Sequence, residues 1–232
     1  MFVEFGVEDY VQSNTRFLLM NNNWRGLLID GDEANIRRIK KSFLYWTYDL
    51  TAVGAFITRN NTNDLIKSSG VSEDIGLLSV DLDGNDYRIW ENISVISPRI
   101  VVCEYNSIFG PKETVSVPYS GNFVRTQAHY SRLYFGASLN ALCILAEKKG
   151  YYFVGCNRGG VNAFFVRKDV VGDLRPLTCE QGFIKSEVRE SLDENGRHSF
   201  VGGDQRVKLI EEMQVVDVLS GKKKLIEDLQ LS

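Results

Sequence analysis

Short apolar runs alternate with segments of helical periodicity from the first residue to about residue 168. The runs predict strands, because a strand that is buried on both faces forms an unbroken apolar stretch. The predicted strands are residues 2–5, 27–30, 50–58, 75–80, 99–103, 151–156 and 162–167. A first helix is predicted over residues 11–21. After about residue 172 the chain becomes polar, and this part contains one helix candidate, at residues 204–218.

Capping residues mark two further helices. Asp32 is predicted to begin a helix in which Ile36 and Ile39 lie on one face. Ser138 is predicted to begin another helix, and Gly150 is placed to end it. These helices lie between predicted strands, so the chain reads as strand and helix in alternation.

This alternation predicts an α/β protein with a Rossmann-like sheet. The sheet is expected to be a seven-stranded mixed sheet, parallel except for a terminal antiparallel hairpin, with helices on both faces. The short turn at residues 157–160 predicts that hairpin. We expect residues 1–172 to form the main domain and residues 173–232 to form a C-terminal appendage packed on it.

Composition narrows the class of protein. The chain has 232 residues, is 44% hydrophobic and carries a net charge of −3. It is too apolar for wholesale disorder, and its charge does not favour a broad nucleic-acid-binding face. No apolar stretch approaches the roughly 18 residues of a membrane span, and residues 1–6 lack the basic region of a signal peptide.

The cysteines predict no metal or disulfide framework. Four are scattered along the chain, and none forms a C-x-x-C pair. They are Cys103, Cys143, Cys156 and Cys179. We interpret them as small buried side chains in a reducing compartment, which predicts a cytoplasmic protein.

Acidic residues stand at the ends of four predicted strands. They are Glu4, Asp30, Asp81 and Glu104. Ligands of open parallel sheets bind beyond the carboxyl ends of the strands, so these positions are the place to look for chemistry.

The residues at the carboxyl end of the first predicted strand suit a cationic ligand. Gly6 allows the backbone to approach a ligand closely, but a G-x-G-x-x-G cradle for pyrophosphate is absent. Carboxylates at Glu4, Glu8 and Asp9 would repel a pyrophosphate and favour a ligand such as S-adenosylmethionine (SAM), which carries a sulfonium and an amine. Asp30, about 24 residues after Gly6, stands where an acid accepts hydrogen bonds from ribose hydroxyls. The alternative is that these are ordinary polar residues at strand ends.

Several of these segments resemble a known family. Residues 2–6, 24–30, 77–86 and 99–106 are similar to the successive motifs of class I SAM-dependent methyltransferases. The segments Val-Glu-Phe-Gly, Ser-Asn-Thr-Arg and Leu-Ser-Val-Asp-Leu-Asp-Gly-Asn-Asp resemble the FkbM-type branch, which is associated with O-methylation of sugars and related natural products. The resemblance covers roughly residues 2–168. In two departures, Tyr10 replaces a second glycine, and the helix that usually precedes the first strand is missing.

The resemblance implies roles for individual residues. Glu4 and Gly6 would contact the methionine part of SAM, and Asp30 its ribose. The adenine would lie near residues 56–60, at the end of the third strand. Asp81 would face the centre of methyl transfer.

A metal site is a separate hypothesis. Asp81 and Glu104 end strands predicted to be neighbours, about 4.8 Å apart, and Asn106 follows closely. Their oxygens suit Mg²⁺, which would activate a hydroxyl, and the layout is similar to that of catechol-type O-methyltransferases. Alternatively, Asp81 binds the amino group of SAM or caps the next helix, and Glu104 pairs with an arginine.

The long connection at residues 119–136 suggests an acceptor site. Its aromatic residues suit a sugar ring, and its arginines suit an anionic group. His129 within it is a candidate general base at neutral pH. The alternative is a surface or packing histidine.

Two other functions are compatible with the same pattern. A nicotinamide-dependent oxidoreductase fits the strand order and Asp30, although the glycine fingerprint is missing. A non-catalytic relative that serves as an interaction or scaffold subunit fits Tyr10. The sequence leaves the acceptor and the oligomeric state open.

Overall fold

A computed structural model describes residues 1–231 of the chain. The strands of this described part are β1 Phe2–Phe5, β2 Gly26–Asp30, β3 Leu50–Gly54, β4 Asp74–Val80, β5 Ser97–Glu104, β6 Val115–Ser116, β7 Tyr151–Cys156, β8 Asn162–Arg167, β9 Gln214–Asp217 and β10 Lys223–Leu225. Its helices are α1 Arg16–Asn22, α2 Glu33–Lys41, α3 Phe43–Thr47, α4 Thr62–Ser68, α5 Asp86–Asn92, α6 Arg125–Ala128, α7 Leu139–Lys149, α8 Cys179–Gly182 and α9 Gln205–Lys208.

Seven of the strands form one mixed sheet in the order β3-β2-β1-β4-β5-β8-β7. Strand β1 runs parallel to β2 and β4, and β2 runs parallel to β3. Strands β7 and β8 pair antiparallel and form the hairpin at one edge. The predicted fold class, a Rossmann-like mixed sheet with a terminal hairpin, is therefore confirmed.

The chain divides into two compact units. The first comprises residues 1–82 and 88–102, and the second comprises residues 83–87 and the chain from residue 103 onward. This grouping differs from the predicted domains, 1–172 and 173–232, since strands β7 and β8 belong to the same unit as the C-terminal residues. The predicted domain boundary stays a prediction.

The first unit is built on fully buried strands. Every residue of β1 and β2 is buried, as expected for strands covered on both faces. Helix α2 begins at the predicted cap, where the side chain of Asp32 accepts a hydrogen bond from the Ala34 backbone N–H at 2.7 Å. Ile36 and Ile39 are buried on the inner face of this helix.

Two predicted boundaries in the first unit were wrong. Helix α1 begins at Arg16 and not at residue 11, because the preceding residues form a loop fixed by hydrogen bonds to Glu4. Strand β3 ends at Gly54 and not at residue 58, because Asn61 fixes a turn there: it donates to the Phe56 carbonyl and accepts from the Thr58 N–H.

The second unit contains helix α7 with its predicted ends and a small sheet. Ser138 accepts a hydrogen bond from the Ala141 N–H at 3.2 Å, and Gly150 ends the helix in the left-handed conformation. The small sheet has the order β10-β9-β6. Its core cluster consists of Ile108, Phe109, Val115, Val117, Leu133, Tyr134, Ile210, Val215 and Ile226.

The helix predicted at residues 204–218 was wrong. The structure has the short helix α9 followed by strand β9, whose Val215 and Asp217 are buried while Gln214 is exposed. That alternation is the two-residue period of a strand. Among residues 1–231, no helix has the length and apolar character needed to cross a bilayer.

Candidate functional site

The ends of β1, β2 and β4 are packed together around Gly6. The Gly6 N–H donates to the Ile29 carbonyl at 3.0 Å. A Cβ at Gly6 would lie 1.6 Å from the Asp81 carbonyl oxygen, and the φ angle of Gly6 is +69°. Both the positive φ and the close approach require glycine. Gly6 thus brings the first turn after β1 against the residue that follows β4.

Asp30 is a buried carboxylate at the end of β2. Its Oδ2 accepts from the Glu8 N–H at 2.8 Å, and its Oδ1 accepts from the Asp32 N–H at 2.8 Å and from the Asn35 amide at 3.3 Å. An ionised carboxylate has about four lone-pair sites, so one remains after these three bonds. Asp30 therefore joins the loops after β1 and β2 and retains some capacity to accept from a ligand.

Glu4 is also buried, and it organises the loop before α1. One carboxylate oxygen accepts from the Asn14 N–H at 2.9 Å, and the other accepts from the hydroxyls of Ser13, at 2.8 Å, and Thr15. The Asn14 amide in turn donates to the Ser79 hydroxyl of β4 at 3.1 Å. The Ser-Asn-Thr segment noted in the sequence is thus the partner of the Glu4 carboxylate.

Tyr10 lies in the same loop with its side chain buried. Its φ of +63° lies in the left-handed region, which glycine normally occupies. The phenol shares a hydrogen bond of 3.0 Å with the Thr15 hydroxyl. Burial raises the pKa of Tyr10, so the phenol is protonated at neutral pH. The backbone here adopts a conformation typical of glycine, although the residue is a tyrosine.

An exposed aromatic ring lies beside the end of β2. Phe56 is 46% exposed, and a Cβ at Gly31 would lie 3.2 Å from its ring. The Asn61 amide holds the Phe56 carbonyl at 2.9 Å. The family resemblance indicates residues 56–60 as the segment near the adenine, but it does not single out the ring of Phe56. The signal available was an aromatic residue two positions after the end of β3, the strand that pairs with β2.

In the second unit, Asn106 is a structural cap. Its amide oxygen accepts from the Ile108 N–H at 3.1 Å. Its amide nitrogen donates to the carbonyls of Leu133, at 2.9 Å, and Phe135, at 3.1 Å. The side chain therefore fixes the turn at Ser107–Phe109 to the segment that contains Leu133 and Phe135.

Arg125 forms ion pairs with three carboxylates of the second unit. Its Nη1 lies 2.7 Å from Asp83 and 3.8 Å from Glu104, and its Nη2 bonds to Glu190. Burial alone would lower the pKa of Arg125. The three carboxylates raise that pKa by more than burial lowers it, so the net shift is upward. The guanidinium also lies 3.7 Å from the centre of the Phe135 ring. Glu104 thus pairs with an arginine, as the alternative interpretation proposed.

His129 is half-buried beside Ser131. Its Nδ1 accepts from the Ser131 N–H at 3.2 Å and lies 2.8 Å from the Ser131 hydroxyl. This geometry places the proton of the neutral ring on Nε2. Burial lowers the pKa of His129 from 6.5, which favours the neutral ring.

The sequence-predicted residues fall into two groups. Glu4, Gly6, Asp30 and Asp81 belong to the first unit, where they lie in or directly after β1, β2 and β4. Glu104, Asn106 and His129 belong to the second unit. The first group is the candidate site, which we call the strand-end site.

The strand order, with an antiparallel hairpin at one edge, is that of a Rossmann-like mixed sheet. No family model and no curated protein matches the sequence. Among solved structures, the N-terminal domain of EvdMO1 with SAH bound is 10% identical, with 71% of each chain covered and a TM-score of 0.41. The methyltransferase domain of bacterial CtHen1-C is 13% identical, with 72% of this chain and 88% of that chain covered and a TM-score of 0.42. At 10–13% identity and TM-scores of 0.41–0.42, these likenesses support no conclusion about this chain.

Proposed function

We propose that this chain binds SAM at the strand-end site and transfers its methyl group to the hydroxyl of a sugar or a related acceptor. The observation that carries this proposal is that three acidic residues stand at the ends of three adjacent strands, where Gly6 packs against the backbone of Asp81. Asp30 and Glu4 are buried, Asp81 is half-buried, and all three lie in the first unit at the ends of adjacent parallel strands. Such an edge is where open α/β sheets bind ligands.

The charge of the site supports SAM over a dinucleotide. Carboxylates attract the sulfonium and the amino group of SAM, whereas they repel the pyrophosphate of a nicotinamide cofactor. The loop after β1 also lacks the glycine pattern that places backbone N–H groups around a pyrophosphate. An oxidoreductase is therefore the weaker interpretation of this site.

Asp30 is proposed to bind the ribose. Its longest hydrogen bond, 3.3 Å from the Asn35 amide, is the one that a ribose hydroxyl would most easily replace. The other two bonds come from backbone N–H groups and hold the carboxylate in place. The exposed ring of Phe56 supports a place for the adenine, since an aromatic face suits a planar base.

Glu4 is proposed to act on the methionine part of SAM in two ways. Its charge favours the amino group, and its hydrogen bonds to Ser13, Asn14 and Thr15 fix the wall of the site. Gly6 lets the backbone of that wall approach the ligand. Asp81 is proposed to face the centre of methyl transfer.

The reaction would be an in-line displacement. SAM supplies an activated methyl group; the acceptor oxygen forms a bond to the methyl carbon as the carbon–sulfur bond breaks, and the hydroxyl proton leaves to a base. The chain must align the acceptor and remove the proton. His129, the base expected from the sequence, belongs to the second unit and stays a prediction; its Nδ1 accepts from the Ser131 N–H.

The proposed mechanism assigns no step to a metal ion. Of the predicted Mg²⁺ ligands, Asn106 caps the turn at Ser107–Phe109 and Glu104 pairs with Arg125. The Asn106 side chain is engaged at both its oxygen and its nitrogen, so it does not fit the predicted role of a Mg²⁺ ligand.

A second function is favoured by Tyr10. Its buried side chain stands where the family that the sequence resembles has a glycine, which supports a non-catalytic role as an interaction or scaffold protein.

An assay of methyl transfer distinguishes the two proposals. We would incubate the intact chain with SAM and a panel of sugars and nucleotide-linked sugars, and measure release of S-adenosylhomocysteine (SAH). The methyltransferase proposal expects acceptor-dependent release that falls strongly in Asp81→Asn and persists in Asp49→Asn, an exposed control. No release with any acceptor, together with no SAM binding, favours the scaffold role.

A further inference from the structure

A cavity in the second unit is lined by an excess of cations. Its volume is about 320 Å³. The charged residues that line it are Lys185, Glu187, Arg189 and Arg206. Gly202 and Gly203 complete one wall, so the backbone there is not shielded by side chains. Three cations and one carboxylate give this cavity a net positive charge.

Arg206 is the buried member of the group. It is 6% exposed. Its Nη1 donates to the Ser186 carbonyl at 2.9 Å. Ser186 is fixed in turn, since its N–H donates to the Ser107 hydroxyl at 2.9 Å. The guanidinium is therefore held in one orientation.

The Nε–H of Arg206 is buried and has no hydrogen-bond partner among residues 1–231. Within the same described part, no carboxylate lies within ion-pair distance of this guanidinium. A buried donor without an acceptor is destabilising, and more so when it is charged. Burial is accordingly the main cause that lowers the pKa of Arg206, with Arg125 adding to it and Glu190 opposing it. An acceptor brought by a ligand would remove this penalty.

We propose that this cavity binds a phosphate group, with Arg206 as the anchor and Lys185 and Arg189 closing over it. Phosphate fits better than a single carboxylate because it offers more acceptor oxygens and more charge to three cations. A free phosphate ion and a phosphorylated small molecule share this chemistry, and the test below distinguishes them. The proposal is independent of the proposed function, since all its residues lie in the second unit.

The exposed cations are available for this role. Arg189 is exposed and makes no ion pair among residues 1–231. Lys185 lies 3.7 Å from Asp204, and their side chains are 60% and 97% exposed. A pair so exposed contributes little to stability, so a phosphate can compete for Lys185.

The test is calorimetric titration of the intact chain with inorganic phosphate, glucose 1-phosphate and glucose, at ionic strength matched with chloride. We expect saturable binding of both phosphates and none of glucose. Arg189→Gln and Lys185→Gln should each weaken phosphate binding about tenfold, the loss of one charge-assisted contact. Arg206→Gln should abolish binding, and circular dichroism would check its fold. Lys208→Gln, an exposed lysine on the same short helix, is the matched control and should bind normally.

Equal affinity for the two phosphates would assign the site to the free ion, and tighter binding of the ester would assign it to a phosphorylated molecule. The proposal is overturned if neither phosphate binds beyond the chloride control. It is equally overturned if Arg189→Gln and Lys185→Gln bind phosphate as well as Lys208→Gln does. SAM binding is not read in this experiment, so its outcome is separate from that of the proposed function.

Discussion

The carbonyl oxygen of Asp81 occupies the space where a side chain at Gly6 would begin, 1.6 Å from an ideal Cβ. This contact joins the turn after β1 to the residue after β4. It links two residues of the strand-end site. It also explains why this turn needs glycine, since the backbone of Gly6 has a positive φ as well.

A first prediction concerns this contact. Gly6→Ala should lower the free energy of unfolding by about 3 kcal/mol or more, because both the left-handed backbone and the clash act against the methyl group. Gly70→Ala is the matched control, since Gly70 has φ +68° and nothing within 4 Å of its Cβ. It should lose only about 1 kcal/mol. Urea denaturation measures both, and equal losses would show that the Asp81 contact has no effect.

A second prediction concerns Arg125. The side chains of Arg125 and Glu104 are only 11% and 9% exposed, so removal of the guanidinium leaves a buried carboxylate without its cation. Arg125→Gln should lower the free energy of unfolding by about 3–5 kcal/mol at neutral pH, and by less in acid, where carboxylates are protonated. Arg25→Gln removes an exposed pair with Asp49 and should have an effect below about 1 kcal/mol. Similar losses for the two variants, by urea denaturation, would contradict this account.

A third prediction concerns His129 and pH. Its pKa is lowered by burial from 6.5, so the unfolded chain binds this proton at a higher pH than the folded chain does. The free energy of unfolding should therefore fall as the pH drops through 6.5, and His129→Gln should lose that part of the dependence. Titration of the ring signals by NMR gives the pKa directly, with the variant used for assignment. A pKa of 6.5 or higher would contradict the buried, neutral ring.

Much of the fold could be predicted because its signals are local. The cap at Asp32 and the stop at Gly150 depend on a few neighbouring residues, and both were confirmed. The helix at 204–218 was mispredicted because the partners of β9 are distant: β6 lies about a hundred residues earlier in the chain. Pairing with such a distant strand outweighs local helical periodicity.

The candidate site was predictable in position and less so in its contacts. The acids Glu4 and Asp30 were found from their place at strand ends. That Glu4 is bound by Ser13, Asn14 and Thr15 could not be read from the sequence, since it depends on how the loop folds back. Arg206 was missed for the same reason, because nothing in a polar segment marks a buried arginine.

The most direct test of the central claim is calorimetric titration of the intact chain with SAM and SAH, with Asp30→Asn alongside. We predict saturable binding of both ligands at one site, weakened about 10- to 100-fold in Asp30→Asn through loss of a charge-assisted bond to the ribose. The exposed control Asp49→Asn should bind as the unmodified chain does. No binding at millimolar SAM, or equal affinity in Asp30→Asn and the unmodified chain, would contradict a SAM site at the ends of β1, β2 and β4.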